Sequence, residues 1–116
     1  MRTVSLPMYD LPEIRAAPAA FWASLAANLR RHGLADVPDK LTHDRPLSDL
    51  WSDPDLLISQ CCGSDVVHSY NSRLLPVATP EFAAPGCLGA TYCSMVVVAD
   101  DCQFNDVRDT RVAGLC

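Results

Sequence analysis

The fold is decided by residues 55–64, which read DLLISQCCGS. Within this stretch Leu56–Ile58 is a continuous apolar run between turn signals, which is typical of a parallel strand covered on both faces. The polar residues after it lead to Ser64, whose side chain suits a helix N-cap. The stretch therefore predicts a strand, a turn and a helix, which is the repeating unit of an α/β protein.

The same alternation extends toward the N-terminus. Val4 and Leu6 predict a short buried strand that ends in a polar turn. Apolar residues then recur at helical spacing up to Gly33, which supplies a C-terminal stop. The residues of this helical stripe are Ile14, Ala17, Phe21, Leu25 and Leu29, widened by Trp22. Pro18 lies inside the stripe and removes a backbone hydrogen-bond donor, so we expect a kink or a restart near Ala17.

Further elements are shorter and are predicted on both sides of residues 55–64. Strands are predicted at Val37–Leu41, Leu74–Ala78, Tyr92–Ala99 and from Arg111, and helical turns at Pro46–Trp51 and Phe104–Arg108. Residues 79–89 are rich in Pro, Gly and Ala and predict a loop. The predicted class is α/β, with a mostly parallel sheet flanked by helices.

Composition limits the class of protein further. The chain has 116 residues, 49% hydrophobic content and a formal net charge of -5, which predicts one domain and disfavours nucleic acid and anionic membrane surfaces as partners. No apolar stretch approaches the roughly 18 residues that a spanning helix needs. The N-terminus shows no signal peptide, which favours a cytoplasmic location, whereas six cysteines suit an oxidising one, with the periplasm as the alternative.

Ligands of open α/β sheets lie beyond the carboxyl ends of the strands, which directs attention to the residues that follow each strand. Ser59, Gln60 and Ser64 offer donors beside the start of a helix, and such an end attracts anions. An ordinary strand-to-helix turn with a capping serine explains the same pattern. Tyr9 and Tyr92 offer an apolar face with a hydroxyl group for a ligand, or they pack in the core.

Cys61 and Cys62 allow a different interpretation. A cysteine at a helix N-terminus can form a reactive thiolate, which would make the protein a thiol-dependent enzyme. The sequence identifies no base to activate it, because His32, His43 and His68 have no marked role. No cysteine or histidine spacing indicates a metal site, and no cofactor is expected.

Several blocks, taken together in their order and spacing, resemble the phosphate/phosphonate-binding proteins of ABC transporters. The blocks are residues 5–10 (SLPMYD), 55–60 (DLLISQ) with Cys62 and Gly63, 77–80 (VATP), and 85–89 (PGCLG) with Tyr92 and Ser94. The resemblance implies a three-layer lobe of the type II periplasmic-binding-protein fold, two lobes closing on an oxyanion, an ABC transporter permease as a partner, and no catalysis. It also implies that residues 1–116 are a single partial domain, the first lobe, truncated at its C-terminus.

The resemblance also assigns site residues. The positions that fall where the family lines its cleft are Tyr9, Ser59, Gln60, Tyr92 and Ser94. Three positions depart from the family pattern. Cys61 stands where a small hydroxyl residue is usual, Cys93 where a basic residue is common, and Pro76 interrupts an apolar strand.

The expected function is the binding of a small anionic solute such as phosphate or phosphonate for uptake. The alternatives are the thiol-dependent enzyme and a truncated remnant without independent function. We also expect Cys62 and Cys87 to lie close enough to form a disulfide under oxidising conditions, since both loops should pass over the same end of the sheet. A disulfide requires Cα atoms within roughly 7 Å of each other.

Overall fold

The computed structural model describes residues 1–93, 97 and 99–103, and the chain divides into two compact units, Met1–Val77 and Ala78–Cys116. The regular elements of the first unit are β1 (Thr3–Ser5), α1 (Ala16–Arg31), α2 (Leu47–Trp51), β2 (Leu56–Ser59) and α3 (Gly63–His68), with one-turn 3-10 helices at Pro7–Tyr9 and Pro12–Ile14. Helices with a two-stranded parallel sheet belong to the mixed α/β class, so the coarse prediction is confirmed.

The sheet consists of β1 and β2, which run parallel. Val4 pairs with Ile58 and Ser5 with Ser59, and the register shifts before Val4. Both strands were predicted from their apolar runs. The residues of β2 are half-buried, however, so this strand is less covered than its continuous apolar run predicts.

The predicted strand at Val37–Leu41 is wrong. Pro38 has no N–H group to give to a ladder, and the carbonyl of Val37 instead accepts a hydrogen bond from Arg30 Nη2 at 2.7 Å. The chain does reach the free edge of β1, but only where Thr42 N–H donates to Val4 O at 2.7 Å. The backbone groups of Val37 and Thr42 thus form separate hydrogen bonds and not the repeated bonds of a strand ladder.

Helix α1 follows the apolar stripe but begins later than the stripe does. Ile14 belongs to the separate 3-10 turn, and Pro18 is the third residue of α1, where a missing N–H removes no intrahelical bond. The predicted interruption is therefore present just before Ala17. The helix ends at Arg31, just before the predicted stop at Gly33, whose φ of +88° is readily adopted by glycine.

The core of the first unit lies between α1, β1 and the chain that follows α1. Its buried residues are Val4, Leu6, Trp22, Ala26 and Val37. Trp22 is 1% exposed, and its indole N–H donates to Pro38 O at 3.1 Å, so the one polar group of this side chain is satisfied. This bond holds the connecting segment against α1.

Helix α2 forms as predicted and buries Leu50 and Trp51. Two predictions further along the chain are wrong. Residues 74–78 form no strand, which agrees with the presence of Pro76, because proline has no backbone N–H to donate to a strand ladder. Ser64 is not the N-cap of α3, because the helix begins at Gly63 and Cys62 occupies the cap position without a side-chain hydrogen bond.

The second unit contains tight turns in its described part, as its composition predicts. Ala84 O accepts a hydrogen bond from Cys87 N at 3.0 Å, across a turn with Pro85 and Gly86 at its centre. Gly86 has a φ of +83°, which the third position of a type II turn requires. Leu88 and Thr91 then form an antiparallel bridge.

Predictions for the C-terminal part fall largely outside the described residues, which exclude 94–96, 98 and 104–116. Half of the strand predicted at Tyr92–Ala99 falls there, and the helical turn at Phe104–Arg108 and the strand from Arg111 fall there completely. In the described part of the chain, no helix has the length and apolar character to cross a membrane.

Candidate functional site

The carboxyl ends of β1 and β2 meet at one edge of the sheet. Gln60 N–H donates to Ser5 O at 3.3 Å, which extends the pairing to the last residue of β1. The chain leaves this edge through the Pro7–Tyr9 turn on one side and through Cys61 and Cys62 on the other. Two of the segments that the sequence singles out, residues 8–10 and 59–64, thus start from the same edge.

Asp10 is the charged centre of this end of the sheet. Its side chain is 13% exposed, and its carboxylate accepts hydrogen bonds from Arg15 Nε at 3.0 Å and from His43 Nδ1 at 2.8 Å. Burial by itself raises the pKa of the Asp10 carboxyl, but the hydrogen bonds from His43 and Arg15 outweigh burial and hold the pKa below its ordinary 3.8. Asp10 is therefore an anion at neutral pH.

Arg15 also reaches the loop that contains His43. Its Nη2 donates to Asp44 Oδ1 at 2.6 Å, so Arg15 lies between two carboxylates. Together with the His43–Asp10 contact, this ties the loop after α1 to the turn after β1. No sequence pattern predicts this cluster, because Asp10 and His43 are 33 residues apart and belong to no shared motif.

Ser59 makes hydrogen bonds within the protein. Its Oγ accepts from the indole N–H of Trp51 at 3.1 Å and donates to Gln60 O at 2.9 Å. Since a hydroxyl has one proton to give, this proton is already used. Ser59 thus positions Trp51 beside β2, and a direct contact between Ser59 and a ligand stays a prediction.

Gln60 is half-buried, and its Oε1 is fully buried without a hydrogen-bond partner in the described part of the chain. A buried oxygen of this kind costs about 1–3 kcal/mol in lost hydration when no partner replaces the water. The carboxamide oxygen of Gln60 is therefore a polar atom at this edge of the sheet whose hydrogen bond is unmet.

The other predicted site residues are more exposed. Tyr9 is 55% exposed in the turn after β1, and Ser64 is exposed on the first turn of α3. Tyr92 is 72% exposed in the second unit, and Ser94 lies outside the described residues. Exposure of both tyrosines means that neither is a core residue within its own unit.

Among the residues that the structure describes, four cysteines are free thiols, namely Cys61, Cys62, Cys87 and Cys93. The predicted bridge between Cys62 and Cys87 is thus not formed in the structure, and its formation under oxidising conditions stays a prediction. Cys102 is disulfide-bonded.

The surroundings of Cys61 favour the protonated thiol. Burial raises the pKa of this thiol, and the negative charge of Asp65 adds to the shift. Nucleophilic chemistry needs the thiolate, so the direction of this shift does not favour Cys61 in that role. The thiol-dependent enzyme that uses Cys61 or Cys62 stays an alternative prediction. Across the residues described, no group of three or more His, Cys, Asp or Glu side chains is arranged to hold a metal ion.

Comparison with known proteins found no matching family model, no similar curated protein and no similar solved structure. The resemblance to phosphate/phosphonate-binding proteins therefore stays a prediction from the sequence blocks.

Proposed function

We propose that the chain binds a small, singly protonated oxyanion, such as hydrogen phosphate or a phosphonate monoanion, at the carboxyl end of its parallel strands. The unpaired Gln60 Oε1 supports this proposal. An amide oxygen accepts a hydrogen bond and cannot donate one, so its natural partner is the P–OH group of a protonated oxyanion. The amide nitrogen of the same side chain can donate to a second ligand oxygen.

The surrounding chain supplies further donors. The first residues of α3, which follow Cys62, have backbone N–H groups without partners inside the helix. Tyr9 lies in the 3-10 turn that follows β1 at the same edge of the sheet, and its side chain contains a phenol group. The Asp10 carboxylate at this edge is ion-paired with Arg15, whose guanidinium also pairs with Asp44.

The role proposed for this binding is that of a substrate-binding component of an ABC-type uptake system, with a permease as the partner and a type II periplasmic-binding-protein lobe as the fold. The resemblance of the sequence blocks supports this role. Such a protein releases its ligand unchanged, so we propose no catalysis.

A titration of isotope-labelled protein with methylphosphonate and with sulfate tests the proposal. Methylphosphonate carries a proton near neutral pH and sulfate does not, so the two ligands differ in the group that Gln60 Oε1 would bind. We expect methylphosphonate to shift the amide signals of Gln60–Ser64 and sulfate to shift them much less.

The matched variants are Gln60→Met, which removes the acceptor at nearly constant size, and Gln103→Met, which changes an exposed glutamine of the second unit. The first should lose the response and the second should keep it. Shifts confined to other regions, or an equal response to sulfate, would contradict the proposal.

A further inference from the structure

A second polar feature lies at the other end of the sheet, where the chain enters β2. Here a pocket of about 300 Å³ is lined by Trp51, Ser52, Asp53, Pro54, Leu56, Arg73 and Leu74. All of these residues belong to the first unit. The volume is at the lower end of the range for small-molecule sites, which is roughly 300–1,000 Å³.

The pocket wall is rigid where Trp51 forms it. This side chain is 4% exposed, its indole N–H is bound to Ser59 Oγ, and its ring meets that of Tyr70 edge-on at a centroid distance of 5.4 Å. Tyr70 also accepts hydrogen bonds at its carbonyl from the backbone N–H groups of Arg73 and Leu74, each at 2.9 Å. The same contacts thus fix the aromatic wall and the chain that carries Arg73.

The charges of the pocket do not cancel. The Asp53 carboxylate is 12% exposed and already accepts hydrogen bonds from Arg45 Nη1 at 2.5 Å, from Thr3 Oγ1 at 3.0 Å and from Asp55 N–H at 2.9 Å. Arg45 compensates its charge. The guanidinium of Arg73 has no carboxylate partner among the described residues, so one positive charge on the wall is left without a counter-ion.

We propose that this pocket is a binding site for a small organic carboxylate with an apolar body. The planar guanidinium of Arg73 matches a carboxylate with two parallel hydrogen bonds, and Trp51, Leu56 and Leu74 offer apolar surface to the rest of the ligand. The site is separate from the proposed oxyanion site, because it lies where β2 begins and not where β2 ends. Neither proposal depends on the other.

Benzoate, benzamide and benzylamine are suitable probes, since they share an aromatic ring and carry a negative, a neutral and a positive group. Each is titrated at millimolar concentration into labelled protein, and the two indole N–H signals are followed. Trp51 lines the pocket, whereas Trp22 lies in the core and serves as the internal control. We expect benzoate to shift the Trp51 signal and leave that of Trp22 unchanged.

The decisive variant is Arg73→Gln, with Arg31→Gln on the last turn of α1 as the matched control. Loss of a charge-assisted pair should weaken benzoate binding about tenfold or more in the first and leave it unchanged in the second. Because Arg73 is exposed, the variant should keep the amide spectrum of the folded protein. Equal binding of benzamide or benzylamine, unchanged affinity in Arg73→Gln, or no response of Trp51 to benzoate would overturn the proposal.

Discussion

The two ends of the sheet each contain an aspartate that is more than four-fifths buried by its neighbours, but they leave different groups unsatisfied. At the carboxyl end Asp10 binds Arg15 and His43, and at the amino end Asp53 binds Arg45 and Thr3. Both aspartates are ion-paired, so neither is left to bind a ligand cation.

In the described part of the chain, the groups that have no partner after these ion pairs form are the ones that support a ligand at each end. The carboxyl end leaves a neutral buried acceptor, Gln60 Oε1, and the amino end leaves an exposed cation, Arg73. A neutral acceptor favours a ligand with a proton to donate, and a cation favours a ligand with full negative charge. Under the two proposals, the two ends of one small sheet select ligands of different protonation.

The largest expected effect comes from Trp51, which serves both ends through its bond to Ser59 and its place in the pocket wall. Trp51→Ala should lower the free energy of unfolding by about 3–5 kcal/mol, because it removes a buried aromatic side chain and leaves a cavity. Urea denaturation measures this loss. Tyr92→Ala, at a position that is 72% exposed, is the control, and an equal loss there would contradict the role of Trp51.

The two aspartates should respond to acid in the same direction. The pKa of the Asp10 carboxyl is held down by His43 and Arg15 against the effect of burial, and that of Asp53 chiefly by Arg45. A carboxyl whose pKa is lower in the folded state stabilises the protein above its unfolded value, and the contribution is lost as pH falls through the folded value.

Urea midpoints measured at decreasing pH, from about pH 5 down to about pH 2, test this expectation. The wild-type protein should lose stability over that range, and Asp10→Asn and Asp53→Asn should each lose less. Asp36→Asn is a control at an exposed position without an ion pair to any described residue. If either paired variant keeps the full wild-type dependence, the ion pair at that end does not contribute.

Gln60→Met should act on the carboxyl end alone and should stabilise the ligand-free protein. Removal of an unpaired buried oxygen should raise the free energy of unfolding by about 1 kcal/mol, since the desolvation cost disappears. Gln103→Met at an exposed position should change it by less than about 0.5 kcal/mol. A destabilised Gln60→Met protein would mean that the carboxamide is already satisfied.

The smallest effect is expected for the exposed pair of Arg30 and Asp39, whose side chains are 43% and 88% exposed. Asp39→Ala should change the free energy of unfolding by no more than about 0.5 kcal/mol, because water screens such a pair. Urea denaturation measures this change, which serves as a reference for the larger changes expected at the two ends of the sheet. A larger loss would show that the segment after α1 depends on this pair.

Elements with a local signal could be predicted from the sequence alone. Apolar runs indicated β1 and β2, helical spacing and Gly33 indicated α1, and the Pro, Gly and Ala content of residues 79–89 indicated a loop. These features depend on side-chain periodicity and on backbone preferences that neighbouring residues set, so a single sequence contains the necessary information.

Which polar groups are satisfied depends on the tertiary structure. The Ser59 hydroxyl gives its proton to Gln60 O and accepts the indole N–H of Trp51, and Asp10 and His43 meet across 33 residues. The predicted strand at Val37–Leu41 is absent for a related reason, since Arg30 binds the Val37 carbonyl and the bond to β1 comes from Thr42, after that segment. Hydrogen-bond partners are set by contacts between distant residues, and local patterns contain no information about which of those contacts form.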